Sequence, residues 1–502
     1  MNQGGQGEVG TGDCSDCFGR FFKYRKHNKM KNKRVWTAGL FALILAAGCD
    51  NSSEIVEGQE PDKGPVQEFT LMVESNGESY LDDKVAQARQ SATSATPKQA
   101  IDKVALVIVR NDESAEVVYH TTLKGWNDTQ NIVSRPYDDG SMQGRKAVVT
   151  LKEENLLEDG KDYLVYAIGY QSGTYGGYVP FKDVEVGKPL THSETVTVPD
   201  GGRADEIFAG SRILHVKNGE ITTAENSPAG QPDETVVLRR QVAGTFGYFT
   251  RIPTEINGTK VAGLRLVSTR RNCTVILGGF RSNENPEDFN LKNVANGMVS
   301  DTEYDARLFG STEDDAFVVY EMKLKNWFPG NAENPGLPLD MNSDGYLDGK
   351  DTNWQVDEEK YSDSSIKLQK GSVFGDCFWV ASATDQNNVA SGVPTLQMQL
   401  LDKKSQVLKH WNVSLQEKAA LQTARTVVTL DGNGQTVLST ETTPETEHRF
   451  SIVRNRLYAM GTKSRSQSHD GDEPIDLSKA DNLVVDVEND WEIWDTIVIR
   501  QD

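Results

Sequence analysis

The stretch that decides the fold is residues 101–119, which read IDKVALVIVRNDESAEVVY. Residues 101–109 are mostly β-branched and apolar, residues 116–119 form a second apolar run, and the polar residues 111–113 between them are typical of a turn. This pattern predicts a β-hairpin. Similar short runs follow along the chain, among them 69–73, 147–151, 163–168, 194–198, 261–267, 273–277, 316–322, 395–401, 427–430, 450–453 and 491–499. Many short strands with few helical patterns predict an all-β fold made of β-sandwich domains.

The longest strand pattern covers residues 235–249, which read TVVLRRQVAGTFGYF. It follows a linker candidate at 218–233 that contains glycine, proline and scattered charge. We therefore expect one long strand to open a second domain after this linker.

The net charge of the chain argues against one class of binding partner, and its few cysteines limit the possible disulfides. The net charge of the 502 residues is −21, and residues 1–48 hold eight Lys or Arg but three Asp or Glu, so the remainder is more acidic still. An acidic chain lacks the basic surface that nucleic acid requires, and we expect no nucleic-acid partner. Only Cys273 and Cys377 follow Cys49, which leaves open one disulfide or two buried thiols.

Signals for catalysis are weak. The seven histidines show no His-x-x-x-His pair, and no nucleophile elbow, phosphate loop or dinucleotide fingerprint is present. We expect no enzymatic activity. The aromatic and glycine-rich residues 169–178 could stack on a sugar, and Trp354 could do the same, but an inter-strand loop and ordinary packing are the simpler interpretations.

An export signal precedes the strand-rich region. Residues 30–48 have a basic start, a short apolar core and the small residues Ala-Ala-Gly before Cys49. This resembles a bacterial lipoprotein signal, in which Cys49 is lipidated and becomes the first residue. An ordinary signal peptide or an anchor helix is the alternative. Residues 1–29, with Cys14 and Cys17, read as a non-native upstream extension before a start at Met30.

The sharpest local motif is residues 340–351, DMNSDGYLDGKD, which fit a twelve-residue calcium loop. The expected ligands stand at positions 1, 3, 5, 7, 9 and 12 of the loop, and the residue at position 7 contributes its backbone carbonyl. They are Asp340, Asn342, Asp344, Tyr346, Asp348 and Asp351. Gly345 allows the sharp turn, and Leu347 should pack inward. The last position is Asp instead of the usual Glu, and an acidic turn without metal is the alternative. We expect structural calcium.

Several segments together resemble the Bacteroidales fimbrillins, the subunits of type V pili. They are the signal ending at Cys49, the strand at 101–109, the Phe-Ala-Gly segment at 205–210, the strand at 237–243, and Val-Arg-Asn-Arg-Leu-Tyr at 453–458. The resemblance implies two transthyretin-like β-sandwich domains in tandem, which we place at 96–230 and 231–502. The calcium loop would then lie in an insertion around 325–375 of the second domain. It also implies a lipidated leader at 49–95 that includes a removable first strand.

The same resemblance implies how the subunit would assemble. A trypsin-like protease would cut after Arg89 or Lys84 and remove the leader, unless Arg89 is an ordinary linker residue. A donor strand within 483–502, with Trp491, Ile493, Ile497 and Ile499 on one face, would then fill the groove of a neighbouring subunit. A resident edge strand is the alternative for this tail.

The function expected from these features is that of a structural subunit of an outer-membrane fimbria that supports adhesion. Its partners would be other fimbrial subunits in a head-to-tail polymer, the processing protease, a host or bacterial surface ligand, and the outer membrane through the lipid at Cys49. The alternatives are a surface-exposed glycan-binding lipoprotein, or a tip or anchor component that keeps its leader.

Overall fold

The structure, a computed structural model, describes most of the chain beyond residue 63. The described residues are 64–74, 101–126, 135–136, 144–190, 194–198, 204–222, 235–268, 270–272, 274–278, 304–306, 317–330, 332–361, 367–379, 396–415, 425–430, 437–443, 457–464 and 470–488. Strands dominate them, so the predicted all-β class is confirmed. The tandem transthyretin-like arrangement and its residue bounds stay predictions.

The described residues up to 240 form ten strands: β1 (Val66–Glu74), β2 (Lys103–Arg110), β3 (Val117–Lys124), β4 (Arg135–Pro136), β5 (Gly144–Lys152), β6 (Asp162–Tyr170), β7 (Glu194–Thr197), β8 (Phe208–Lys217), β9 (Glu220–Thr222) and β10 (Thr235–Arg240). Nine of them form one sheet in the order β3-β2-β6-β8-β10-β1-β5-β4, with β9 beside β8. A 3-10 helix, Glu153–Asn155, and a one-turn helix, α1 (Thr174–Gly177), lie between strands.

The second half supplies the remaining elements: β11 (Ala243–Thr250), β12 (Ile252–Pro253), β13 (Glu255–Ile256), β14 (Thr259–Lys260), β15 (Gly263–Ser268), β16 (Arg270–Asn272), β17 (Thr274–Gly278), β18 (Tyr304–Ala306), β19 (Phe317–Lys323), α2 (Leu324–Trp327), β20 (Tyr346–Leu347), α3 (Glu358–Tyr361), β21 (Ser372–Trp379), β22 (Leu396–Leu401), β23 (Val407–Leu415), β24 (Arg425–Leu430), β25 (Val437–Thr443), β26 (Leu457–Met460), β27 (Ile475–Asp476) and β28 (Leu483–Glu488). A second nine-stranded sheet runs β19-β15-β22-β23-β28-β26-β11-β21, with β27 beside β11.

The hairpin that decides the fold forms as the sequence predicts. Strands β2 and β3 pair antiparallel, with Lys103 opposite Lys124 and a register shift after Ile108. Strand β2 lacks the polar–apolar alternation of a half-buried strand, because both of its faces are buried. Val104, Leu106 and Ile108 belong to one core, which the first sheet curls around. The intervening Ala105, Val107 and Val109 belong to a second core.

The second core joins the two halves of the chain. It combines the outer side chains of β2 and β6 with residues of the second sheet such as Phe246, Leu264 and Trp411. Strand β7 also pairs with β17, and the backbone N–H of Ala204 donates to the carbonyl of Phe378 at 3.2 Å. Residues Asp62–Asp502 accordingly form one compact unit.

The predicted single strand at 235–249 is wrong, because the chain changes sheets within it. Residues of β10 pair with β1 and β8, whereas β11 pairs with β21 and β26. The break falls at Gln241, whose backbone N–H donates to Ile207 O at 2.8 Å. Its buried amide also donates to Arg239 O at 2.7 Å. The polar run Arg239, Arg240 and Gln241 stands at the break, but all three residues are buried, so they do not form the exposed turn that would separate two strands.

Within the described part of the chain, no helix is both long enough and apolar enough to span a membrane.

Candidate functional site

The first strand of the protein lies inside a sheet instead of at its edge. Strand β1 pairs in parallel with β10, from Thr70 opposite Thr235 to Val73 opposite Leu238. On its other side it pairs antiparallel with β5 over all nine of its residues, from Val66 opposite Lys152 to Glu74 opposite Gly144. Its backbone therefore bridges two strands that would otherwise be separated.

The side chains of β1 fill the core that this sheet encloses. Phe69, Leu71 and Val73 are each at most 1 % exposed and pack in the same cluster as Val149 and Leu238. These three alternating side chains therefore share one buried face of β1. Without β1, the neighbouring strands would expose apolar side chains and unpaired backbone groups, both of which favour pairing with another strand.

A polar residue that the sequence reading missed fixes β1 in register. The buried amide of Gln67 donates to Leu157 O at 2.9 Å and accepts from Leu157 N at 2.7 Å. Gln67 stands two positions before Phe69, so the period of two already placed it on the buried face. Because Gln67 is polar, the sequence pattern did not identify it as buried. A buried amide is stable only when both its N–H and its oxygen are hydrogen-bonded, and the sequence does not show those partners.

Most of the residues predicted for export and assembly lie outside the described residues. These are Cys49, Lys84, Arg89, Cys273, the strand at 450–453 and the tail positions Trp491, Ile493, Ile497 and Ile499. Cys377 is buried in β21, and the question of a disulfide with Cys273 stays open. The predicted donor segment 483–502 begins with β28, which pairs with β23 and β26 and so is a resident inner strand.

The predicted calcium loop at 340–351 is a tight turn held by its own carboxylates. Asp340 accepts the backbone N–H of Ser343 at 2.6 Å and of Gly345 at 2.9 Å. Asn342 accepts from Asp344 N, Asp344 from Tyr346 N, and Asp348 from Lys350 N. Asp351, which is fully buried, accepts from Met341 N and Asp348 N and closes the loop. Gly345 has a φ of 88°, which explains its place in the turn.

The loop is anchored to the second half of the protein. Its short strand β20 pairs with β12, and Leu347 is fully buried in the shared core, as predicted. A Cβ atom on Gly371 would lie 1.9 Å from Gly349 N, so the loop backbone packs directly against the start of β21. Trp354 also packs here, and its indole N–H donates to Ser372 O at 2.8 Å. The polar group of this side chain is therefore used within the fold.

The chemistry of the donor set fits Ca²⁺, because it consists of carboxylate, amide and carbonyl oxygens. Their present arrangement is that of a hydrogen-bonded loop: among the described residues, no three Asp, Glu, His or Cys side chains converge as a metal site. The Lys350 ammonium lies 2.7 Å from Asp344 Oδ2 and lowers the pKa of that carboxyl. Arg251 lies 3.7 Å from Asp348 Oδ2. Two protein cations thus already balance part of the acidic charge.

The aromatic residues at 169–178 serve structure. Tyr175 donates its hydroxyl to Asp205 O at 2.7 Å, and the partly buried Tyr178 donates to Glu194. Burial, followed by the charge of Glu194, raises the pKa of Tyr178 far above its ordinary value, so this hydroxyl stays protonated. The inter-strand loop interpretation therefore accounts for both tyrosines.

No protein-family model matches the chain, and no curated protein matches it by sequence. Solved structures do show similarity. A candidate cell adhesion protein from Bacteroides eggerthii is similar with a TM-score of 0.33 and 11 % identity, covering 85 % of this chain and 97 % of that one. The fimbrial anchor protein Mfa2 from Porphyromonas gingivalis gives 0.27 and 8 %, covering 78 % and 99 %. The tip fimbrial protein Mfa3 from the same organism gives 0.30 and 10 %, covering 84 % and 98 %.

Proposed function

We propose that this chain is a structural subunit of a cell-surface fimbria, exported as a lipoprotein, whose first strand is a removable placeholder. The observation that carries the proposal is the position of β1. It is an inner strand with a fully buried apolar face, yet it lies in the leader, and residues 75–100, with Lys84 and Arg89, connect it to β2. One cut in that connection would separate an essential strand from the rest of the fold.

The physical consequence of such a cut supports assembly by strand exchange. Loss of β1 would leave β5 and β10 without a partner on one side and would expose the core around Val149 and Leu238. An extended segment from a second copy restores both the backbone pairing and the burial, which is the mode called β-augmentation. The donor is the tail beyond β28, with Trp491, Ile493, Ile497 and Ile499 replacing Phe69, Leu71 and Val73.

Limited proteolysis of the full chain tests this proposal. Trypsin should cut after Arg89 or Lys84, and oligomers should then appear in size-exclusion chromatography and negative-stain electron microscopy. The variant Lys84→Gln, Arg89→Gln, Lys98→Gln should stay monomeric under the same treatment, because it leaves trypsin no Lys or Arg within residues 75–100. A synthetic peptide of residues 66–74 should suppress the oligomers, whereas the same peptide with Leu71→Asp should not.

Two results would contradict the proposal. One is a chain that is cut and has released its leader, yet remains monomeric. The other is a cell-surface protein that begins at Cys49 in every molecule, which would favour an anchor or tip that keeps its leader. Monomeric protein that binds a glycan array would instead favour a glycan-binding lipoprotein.

We also propose that the loop at 340–351 binds one structural Ca²⁺ through Asp340, Asn342, Asp344, Asp348, Asp351 and the carbonyl of Tyr346. A bound Ca²⁺ would be coordinated by these side-chain oxygens together. Without the ion, the same oxygens accept hydrogen bonds from backbone N–H groups of the loop. The ion's role would be to hold the loop between α2 and β21 against the second sheet, because the loop already packs there through Leu347 and Gly349.

Calcium-dependent stability tests the metal site. Calcium at 100 times its Kd should add about 2.7 kcal/mol to the free energy of unfolding of the wild type. The variant Asp340→Ala, Asp344→Ala should lose this gain. Asp402→Ala is the matched control, because Asp402 caps a similar turn elsewhere, accepting from Lys404 N and Gln406 N. An unchanged wild-type melting temperature in calcium and in chelator would refute the site.

A further inference from the structure

A lysine and a buried aspartate meet where the segment that carries the 340–351 loop returns to the second sheet. Lys360 lies in α3, and Asp376 lies in β21, the last strand in that sheet's order. The Lys360 Nζ contacts Asp376 Oδ1 and donates to the backbone carbonyl of Asp376 at 2.8 Å. The Asp376 side chain is 0 % exposed and that of Lys360 is 23 % exposed.

The two oxygens of Asp376 have different surroundings. Oδ1 accepts the hydroxyl of the buried Tyr361 at 3.0 Å in addition to the lysine contact. Oδ2 is also buried, and no described residue gives it a hydrogen bond. A buried carboxylate oxygen without a partner is costly for a charged group. The site therefore holds one oxygen firmly and leaves the other unsupported.

We infer that Lys360 and Asp376 form an intramolecular isopeptide bond. One ammonium proton first passes from Lys360 to the Asp376 carboxylate, which gives a neutral amine and a carboxylic acid. The Nζ lone pair then attacks Cγ of Asp376, an N–C bond forms, and the Cγ–Oδ2 bond breaks. Oδ2 leaves as water and takes two of the three ammonium protons, while one proton stays on the new amide nitrogen. An ammonium and a carboxylate thus become a neutral amide and one water molecule, and no oxidant, reductant or other reactant is required.

The surroundings favour this condensation in three ways. The nucleophile is already against its target, and fixed geometry of this kind is equivalent to a very high effective concentration. The Tyr361 hydroxyl donates to Oδ1, where negative charge develops after attack. The product also removes two charges from a site where their desolvation is unfavourable. Burial raises the pKa of the nearby Tyr320 hydroxyl well above its ordinary value, so Tyr320 adds no negative charge.

A second buried pair in the same half provides an internal comparison. Lys463 Nζ lies 3.0 Å from Asp472 Oδ1, with side chains 1 % and 0 % exposed. Here both oxygens are satisfied: Oδ1 also accepts Ser464 N and Oγ, each at 2.8 Å, and Oδ2 accepts the Tyr248 hydroxyl at 3.0 Å. A carboxylate with this support is stable as an anion, so we expect this pair to remain ionic.

The bond would fasten an edge strand. It joins residues 16 positions apart and ties β21 to the segment that contains the 340–351 loop. Strand β21 pairs with β11 along its whole length, so the crosslink would resist peeling of this edge from the sheet. The inference is independent of the fimbrial proposal, since it rests on the pair alone.

Peptide mapping of the full chain, folded, then denatured and digested with trypsin, tests the bond. Trypsin does not cut after an acylated lysine, so the peptide 351–367 should be joined to the peptide 371–403 with the loss of one water. In Lys360→Arg the joined species should be absent and 371–403 should appear alone. The variant Lys463→Arg should still show the Lys360–Asp376 link, and Tyr361→Phe should lower the crosslinked fraction at a given time.

Two outcomes would overturn the inference. One is the recovery of 371–403 only as an unmodified peptide from wild-type protein whose circular dichroism shows it to be folded. The other is a water loss that fragmentation maps to Lys463 and Asp472, or to a cyclised Asp-Gly pair. The wild-type map alone decides the question, so a variant that fails to fold does not affect it.

Discussion

His120 is a titratable side chain placed where its charged form is unfavourable. It lies on β3 opposite Val107, with its ring edge-on to Phe181 at a centroid distance of 6.3 Å. Its Nε2 atom is buried and lacks a hydrogen-bond partner among the described residues. Burial lowers the pKa of His120 below its ordinary value, so the folded protein holds the neutral ring.

This position predicts a loss of stability in mild acid. The folded-state pKa lies below the unfolded value of about 6.5, so the unfolded chain takes up the proton first as the pH falls. The contribution is complete above that unfolded value and declines below it. We expect His120→Phe to reduce the dependence of the unfolding free energy on pH between about 7 and 5. Urea unfolding at several pH values measures this.

The exposed His410 supplies the control for that experiment. The variant His410→Gln should keep the acid dependence of the wild type, because this side chain is exposed and its replacement changes no buried contact. Equal slopes for His120→Phe and the wild type would show that burial of His120 has no effect on acid stability.

At the scale of single residues, the sequence indicated the chemical role of individual side chains better than it indicated which side chains pair with each other. It placed Leu347 inside and the oxygen donors of 340–351 in one loop. It gave no indication of the buried pairs Arg240–Glu206, at 2.6 Å, or Lys463–Asp472. The members of such pairs are 34 and 9 positions apart, and their burial depends on how strands are brought together.

At the scale of elements, β1 is the strand whose role is most easily measured. Leu71→Ala removes a fully buried side chain from the first core and should lower the free energy of unfolding by about 2–5 kcal/mol. Val148→Ala on the adjacent β5 is the matched control, because its side chain is 50 % exposed and should cost less than about 0.5 kcal/mol. Chemical denaturation of the uncut chain measures both.

A small effect of Leu71→Ala would mean that β1 contributes little to the fold, and the placeholder role would then lose its physical basis. The same substitution should also speed the release of the leader after the cut at Arg89 or Lys84. Together, the two measurements distinguish how much β1 stabilises the fold from how readily the protease reaches the connection that follows β1.

The sequence identified most individual strands but not the sheets to which they belong. The hairpin β2–β3 could be predicted because its partners are adjacent and its turn is polar. The division of 235–249 into β10 and β11 could not, since Gln241 and Val242 are as buried as their neighbours. The hydrogen bonds of Gln241 to Ile207, Arg239 and Ala209, together with the change of pairing partners, mark where the chain leaves one sheet.

At the scale of the whole molecule, the shared core predicts cooperative unfolding. Ala105, Val107 and Val109 of β2 pack in one cluster with Leu264, Met398 and Trp411 of the second sheet. Separation of the two halves would expose this apolar surface on both. We expect β2 and β22 to lose hydrogen-exchange protection in the same step as denaturant rises, as a single cooperative unit would.

Native-state hydrogen exchange with peptide readout measures this directly. Peptides from β24 and β25 provide a comparison, since among the described strands these two pair with each other alone. Separate transitions for β2 and β22 would show that the halves are independent domains, as the two-sandwich reading of the sequence expects.

By itself, the sequence determined that this protein is built of strands, that it is acidic, and that one loop gathers oxygen donors. These properties follow from periodicity, composition and local spacing, which act over a few residues. Only the tertiary structure decided that β1 is an inner strand, that the two halves share a core, and that Lys360 meets a fully buried Asp376. Each of these depends on burial and pairing between distant segments, and no short stretch of sequence encodes the position of its partner.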